Sequence, residues 1–419
     1  MNAAAALHAI VAENRAGRAR GVPSWCTAHP QTLSAILAAY RDDDEPILIE
    51  ATCNQVNHRG GYTGMTPAAF RAFVEGLAHE AGVRPERIIF GGDHLGPNPW
   101  KDRGAAEAMD EARAMVAAFA QAGFAKIHLD ASMACADDAT LPEEEIARRA
   151  ADLCAVAERH ASGPVVYVVG TEVPIPGGEL QALDALAVTP PEAALRTHAL
   201  HRAAFAKAGV AGAIEKVIAI VVQPGVDMGN EQVFGFDKAK AAHLSAAIGR
   251  IPGAVFEAHS TDFQTERALA DLVASHFAIL KVGPSLTFAF REAVFGLAAI
   301  EEKMALSPRS GIVAALEAAM ESDPRHWRPY VAKDGRDHVL RLYGLSDRIR
   351  YYWPTPSVGA ALERLIANVD AARVPPGLVS QALGALPVSG EGGLSRRAIE
   401  AKVGAVVGAY RRAAGIGRA

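Results

Sequence analysis

Short runs of β-branched and other apolar residues recur along the chain at 22–26, 47–52, 87–91, 126–131, 165–170, 217–223, 255–259 and 278–283. Between them, apolar positions fall at helical spacing, as over 67–80, 105–122, 143–160, 191–208, 237–248 and 265–275. Strands that alternate with helices predict parallel βαβ units. Eight such units, the last helix running from about 286 to 303, are the number that closes a (β/α)₈ TIM barrel. Beyond residue 308 the alternation stops. Helical stretches near 311–321, 358–370 and 394–412 follow, separated by Pro- and Gly-containing linkers. The expected organisation is an α/β TIM barrel with an N-terminal helix over 1–307, and a helical C-terminal extension over 308–419 packed on it.

The polar residues sharpen this picture. In such a barrel the catalytic groups stand at the C-terminal ends of the strands and in the loops that follow. Here the second strand runs into Glu50, Asn54, Gln55 and Asn57, and the third into Asp93 and His94. The fourth carries His128 and Asp130, the fifth ends at Thr171-Glu172 and the sixth at Gln223. The seventh gives Glu257, His259, Ser260, Thr261 and Asp262, and the eighth gives Lys281, Gly283 and Ser285. Alternation along 126–130 places Ile127 and Leu129 against the outer helices and turns His128 and Asp130 inward. Glu50, Thr52, Glu257 and His259 face inward by the same count. Burying so many ionisable groups is costly unless they pair, bind a metal or touch a ligand.

Composition narrows the class. The chain has 419 residues, half of them hydrophobic, and a formal net charge of −5. No basic excess is available for a nucleic-acid backbone or an anionic membrane, and neither is expected as a partner. The N-terminus lacks the basic-then-apolar pattern of a signal peptide, and no apolar run approaches a membrane span. The four cysteines (Cys26, Cys53, Cys135 and Cys154) are scattered, which suits reduced thiols and a cytoplasmic location.

Three chemistries are compatible with the cluster. In the first, His94, His128 and His259, with Asp93, Asp130, Glu172 and Glu257, offer the ligands preferred by zinc or a similar divalent ion. Such an ion polarises a carbonyl, while Asp93 moves a proton at the neighbouring hydroxyl. In the second, Lys281 or Lys126 forms a Schiff base, against the alternative that each is an ion-paired buried lysine. The third, phosphoryl transfer, lacks both the P-loop and the protein-kinase motifs. A phosphate site is expected at Ser260, Thr261, Gly283 and Ser285, after strands seven and eight. Near the C-terminus, Arg348 and Arg350 beside aromatics suit phosphate contact, with packing as the alternative reading.

The stretches IEATCNQVNHRGGYTGMTP, GGDHLGPNPW, KIHLDASMACADD, GTEVPIPGG, IAIVVQPGV, FEAHSTDFQT, ILKVGPSLTFAFREAVFGL and LSDRIRYYWP together resemble the Z-type subunits of tagatose-bisphosphate aldolase (GatZ/KbaZ). The resemblance spans most of the chain. It implies a barrel related to class II aldolases and a place in galactitol, tagatose or N-acetylgalactosamine breakdown. Members of the family have carried three labels: a non-catalytic subunit supporting a class II aldolase catalytic subunit, a tagatose-6-phosphate kinase and a ketohexose-phosphate 4-epimerase. The cluster favours a divalent-metal-dependent 4-epimerase acting on tagatose 6-phosphate by retro-aldol and aldol steps. The resemblance to class II aldolases gives Asp93 the acid/base role and makes His94 and His259 ligands. Gln223 stands where an aldolase has a further histidine, so Glu172 is the expected third ligand. Asp130 and Glu172 join Asp93 as catalytic candidates, and Asn54, Gln223, Lys281 and Arg348 join the phosphate loops as substrate contacts. A phosphorylated ketohexose is the expected ligand; a partner subunit and a homo-oligomer are left open.

Overall fold

The computed structural model describes residues 2–171, 186–331, 335–386 and 392–417. Eight strands close a barrel: β1 (Val22–Cys26), β2 (Ile47–Thr52), β3 (Ile88–Leu95), β4 (Lys126–Leu129), β5 (Val166–Val169), β6 (Val217–Val222), β7 (Val255–Ala258) and β8 (Phe277–Val282). They lie in sequence order, all parallel, and β8 returns to pair with β1. Helices cover the outside, so both faces of each strand are buried. This explains why a strand such as β6 reads Val-Ile-Ala-Ile-Val-Val without a polar break.

Two of the expected elements change. The third strand runs to Leu95 rather than 91, because the ladder to β4 continues past a bulge. Gly92 pairs with Ile127 and Leu95 with Leu129, so β3 spends one more residue than its partner. The helix expected over 237–248 shortens to Ala242–Ala247, since Asp237 turns the preceding backbone by accepting from the Ala239 and Lys240 N–H groups. Helices Pro30–Ala38 and Pro376–Leu383, and the two-stranded ribbon of Asp227–Met228 with Val233–Phe234, are additional to the sequence reading.

The barrel interior is layered. At its lower end, Val22, Leu48, Ile89, Val166, Ile218, Val255 and Ile279 form one apolar cluster. The N-terminal helix Ala3–Arg15 closes this end by adding Leu7, Ile10 and Val11 to the cluster. Two residues further along the strands the interior becomes charged, with Glu50, Lys126, Glu257 and Lys281 all buried. Gly91 makes room for this layer: a Cβ there would stand 2.7 Å from the Glu50 side chain.

The last helix, Leu394–Ala413, packs on helices Pro284–Lys303, Pro30–Ala38 and Glu266–Ala274. It is tied to the mouth by Tyr410, whose hydroxyl donates to the Thr261 carbonyl at 2.6 Å. No helix among the described residues is long and apolar enough to cross a membrane.

Candidate active site

The alternation that turns Glu50 and Lys126 inward helps bring three carboxylates and two ammonium groups together out of solvent contact. Lys126 Nζ lies 2.6 Å from Glu50 and 2.7 Å from Glu257. These are close ion pairs rather than aligned hydrogen bonds. Lys281 Nζ meets the other Glu50 oxygen and lies 3.0 Å from Asp93 Oδ2. Burial alone would lower both lysines, but the surrounding carboxylates hold each above its ordinary range. A lysine kept protonated in this way is no nucleophile, and the ion-paired reading of Lys281 holds.

Above this layer stand the imidazoles. Strict alternation would send one of Asp93 and His94 outward. The β3 bulge, with His94 in the left-handed region at φ 51°, lets both enter the mouth. Each of three histidines rests one ring nitrogen on a carboxylate. His94 Nδ1 is 2.8 Å from Asp130, His128 Nδ1 is 3.0 Å from Asp93, and His259 Nε2 is 2.9 Å from Glu257. The same His128 nitrogen also lies 3.2 Å from the His94 backbone N–H. The other nitrogen of each ring is then left for a ligand, and His128 Nε2 is buried with no hydrogen-bond partner. The ring centroids are 5.0, 5.1 and 5.4 Å apart. Asp93, His94, His128 and His259 each present a ligand atom within 4.8 Å of the others.

The electrostatics match this geometry. Burial would raise Asp93, yet His94, Lys281 and the His128 hydrogen bond hold its carboxyl well below the usual range. Burial would lower His94, but Asp93 and Asp130 raise it; at His259 burial prevails and pulls the imidazole down to about 4. The carboxylates of Glu50, Asp93, Asp130 and Glu257 outnumber the ammonium groups of Lys126 and Lys281 among them, and a divalent cation would add positive charge to that set. Four donors of hard and borderline type, one orphaned imidazole nitrogen and a carboxylate behind each ring fit such an ion.

The expected site residues separate into groups. Asp93, His94, His259, Ser260, Asn54, Lys281 and Gly283 line one cleft at the barrel mouth, together with Asp262, Tyr62, Arg350 and Tyr351. Asp130 lies behind His94 and bonds it, with Ser132 Oγ donating to the other oxygen at 2.6 Å. Glu172 lies outside the described residues; within them His128 supplies the third imidazole. Gln223 turns away, its Oε1 accepting from the Gly225 and Val226 N–H groups. The Thr261 hydroxyl donates to the Lys281 carbonyl at 2.7 Å. Ser285 Oγ donates to Asp262 at 2.7 Å, and that carboxylate also accepts the N–H groups of Gly283 and Ser285. Arg348 packs beneath the rim: its Nε donates to the His326 carbonyl at 2.6 Å and its guanidinium lies over the Tyr330 ring. Arg350 reaches the cleft instead. These two arginines are two residues apart on the short 3₁₀ turn Arg348–Tyr351, and so cannot face the same way.

Residues 7–414 match the model of the family described as D-tagatose-1,6-bisphosphate aldolase subunit GatZ/KbaZ-like. The chain belongs to this GatZ/KbaZ-like family. It is similar to the D-tagatose 6-phosphate 4-epimerase of Agrobacterium fabrum, at 47% identity over 99% of each chain. It is also similar to the D-tagatose-1,6-bisphosphate aldolase subunit GatZ of Escherichia coli, at 47% identity over 89% of this chain and 90% of that one. A solved structure described as a probable tagatose 6 phosphate kinase from Sinorhizobium meliloti 1021 aligns with a TM-score of 0.85 and 46% identity. It covers 94% of this chain and 100% of its own. Three relatives at 46% or 47% identity thus carry three different names. The choice between them rests on the site.

Proposed function

We propose that this GatZ/KbaZ-like protein is a metal-dependent 4-epimerase that interconverts tagatose 6-phosphate and fructose 6-phosphate. The observation that carries the reading is the group of three imidazoles, each backed by a carboxylate and each with its second nitrogen free, beside the ionised Asp93 in the cleft. A merely supportive subunit has no use for so costly a buried arrangement, and the chain lacks a phosphate-cradling nucleotide loop. The A. fabrum relative of that name matches end to end.

His94, His128 and His259 would hold the ion, zinc by the donor types, which when bound acts as a Lewis acid on the ketose carbonyl at C2. Asp93 accepts the proton of the C4 hydroxyl as the C3–C4 bond breaks. The bond pair passes to C3 and delocalises onto the C2 carbonyl, while C4 becomes an aldehyde. Rotation of that aldehyde presents its opposite face, C3 attacks it, and Asp93 returns the proton to O4. The net change is inversion at C4, with no outside reactant. Lys281, beside Asp93 at 3.0 Å, keeps the carboxylate ionised and ready to accept the first proton. Asn54 and Ser260 are placed to meet the sugar hydroxyls. The proposed division leaves the chemistry to 1–307, with the extension over 308–419 roofing the mouth.

The purified protein, given tagatose 6-phosphate without ATP, is expected to form fructose 6-phosphate by NMR, and to stop when a chelator is added. Asp93→Asn is expected to lose about 10³-fold in turnover per folded molecule. An Asp93→Asn variant with full activity would remove its proton-transfer role. A second reading, support of an aldolase catalytic subunit in the cytoplasm, is favoured by the 47% identity to E. coli GatZ. It predicts no conversion by the protein alone, even with zinc, cobalt, nickel or manganese. It also predicts a partner complex whose activity survives replacement of His94 and His259.

A further inference from the structure

The backbone cup after β7 and β8, where a barrel of this kind would be expected to seat a phosphate, is already filled from within. Asp262 Oδ1 accepts from Gly283 N at 3.1 Å, Ser285 N at 2.8 Å and Ser285 Oγ at 2.7 Å, at the start of helix Pro284–Lys303. Those are the donors that would otherwise meet an anion. A second anion placed there would lose these hydrogen bonds to the resident carboxylate and stand against its charge. The substrate's phosphate has to be held elsewhere.

We propose that Arg350, carried by the C-terminal extension, is the phosphate anchor of this site. Arg350 lines the catalytic cleft and also the wider chamber beside it. Two carbonyls and a hydroxyl position it: its Nη1 donates to the Ser346 and Asp347 carbonyls and its Nη2 to the Tyr351 hydroxyl at 3.2 Å. The adjacent Asp347 carboxylate is engaged by Thr287 at 2.6 Å and by Arg291 at 3.5 Å. Among the described residues no carboxylate forms an ion pair with Arg350, whereas Lys281, the other cation lining the cleft, is paired with Glu50 and Asp93. An arginine fixed this way keeps its charge for an incoming dianion, with Tyr62 and Tyr351 flanking it.

The role rests on the epimerase reading and deepens it. When the C3–C4 bond opens, the aldehyde half carries the phosphate. Held by Arg350, that half pivots about its own anchor and cannot leave, and the adjoining chamber gives it room to turn. Arg350 thereby acts as a positioning residue that keeps cleavage from ending in release.

The test is binding, which needs no turnover. Wild type and Arg350→Gln are titrated by calorimetry with inorganic phosphate, tagatose 6-phosphate and unphosphorylated tagatose. The expected result is a loss of about 30-fold for both phosphate ligands, none for tagatose, and an intermediate value for Arg350→Lys, which lacks the guanidinium fork. Equal weakening for all three ligands, or for none, overturns the anchor. Arg350-dependent phosphate binding without epimerisation leaves the anchor standing and removes the epimerase; turnover indifferent to Arg350 does the reverse. Should Arg350→Gln not fold, hydrogen exchange on wild type with saturating inorganic phosphate decides. Protection across 346–354 supports the anchor, and protection confined to 260–286 returns the phosphate to the barrel cup.

Discussion

The two ends of the barrel interior are made by the same strands and have opposite chemistry. Below, Leu48, Ile89, Val255 and Ile279 meet the N-terminal helix in a dry apolar cluster. Above, Glu50, Lys126, Glu257 and Lys281 are equally buried and carry charge. The difference is one step of two residues along each strand: Leu48 to Glu50, Ile89 to Gly91, Val255 to Glu257, Ile279 to Lys281. The lower layer gains from every Å² removed from water. In the upper layer desolvation opposes the Coulomb attraction, so its contribution is organisation of the cleft more than stability. A barrel can therefore hold a reactive layer because a second, inert one stands beneath it.

Three substitutions probe this contrast. Lys126→Met leaves Glu50 and Glu257 facing each other without their shared cation, and is expected to cost about 3–5 kcal/mol in chemical denaturation and to remove activity as well. Leu48→Ala opens a cavity in the lower layer, with an expected loss of about 3 kcal/mol but a near-normal kcat in the surviving folded protein. If Leu48→Ala lowered kcat as strongly as Lys126→Met, the two layers would not be separable. The smallest effect belongs to charges on the outside. Hydrogen bonds from Arg59 and His58 hold Glu111 down to about 2, against 4.5 ordinarily. A depressed carboxyl stabilises the fold above its ordinary value, and that stability is lost as pH falls through about 2. Glu111→Gln should flatten the fall of Tm over this interval, by less than either interior change, because such pairs are solvent-screened. An unchanged acid profile in Glu111→Gln would assign the acid sensitivity to the buried layer alone.

Much of this was legible in the sequence, for a physical reason. Strand periodicity is two, so alternation along 126–130 and 255–259 identifies the inward residues before any coordinates exist. It cannot foresee a bulge. The left-handed His94, which lets Asp93 and His94 share the mouth, has no signature in the letters Gly-Gly-Asp-His. Nor does local sequence reveal internal use of a polar group. Thr261, Ser285 and Gln223 have the right chemistry and the right address, yet their polar side-chain groups are engaged by Lys281, Asp262 and the Gly225–Val226 backbone. Of the two arginines, the pitch of a single 3₁₀ turn packs Arg348 on Tyr330 and brings Arg350 to the cleft, which the letters alone do not tell.

The helix under the barrel makes the interior a cul-de-sac. With Leu7, Ile10 and Val11 covering its floor, the described residues open the barrel toward the strand ends that line the cleft. Traffic control then falls to the rim, where segments from the far end of the chain stand over the opening.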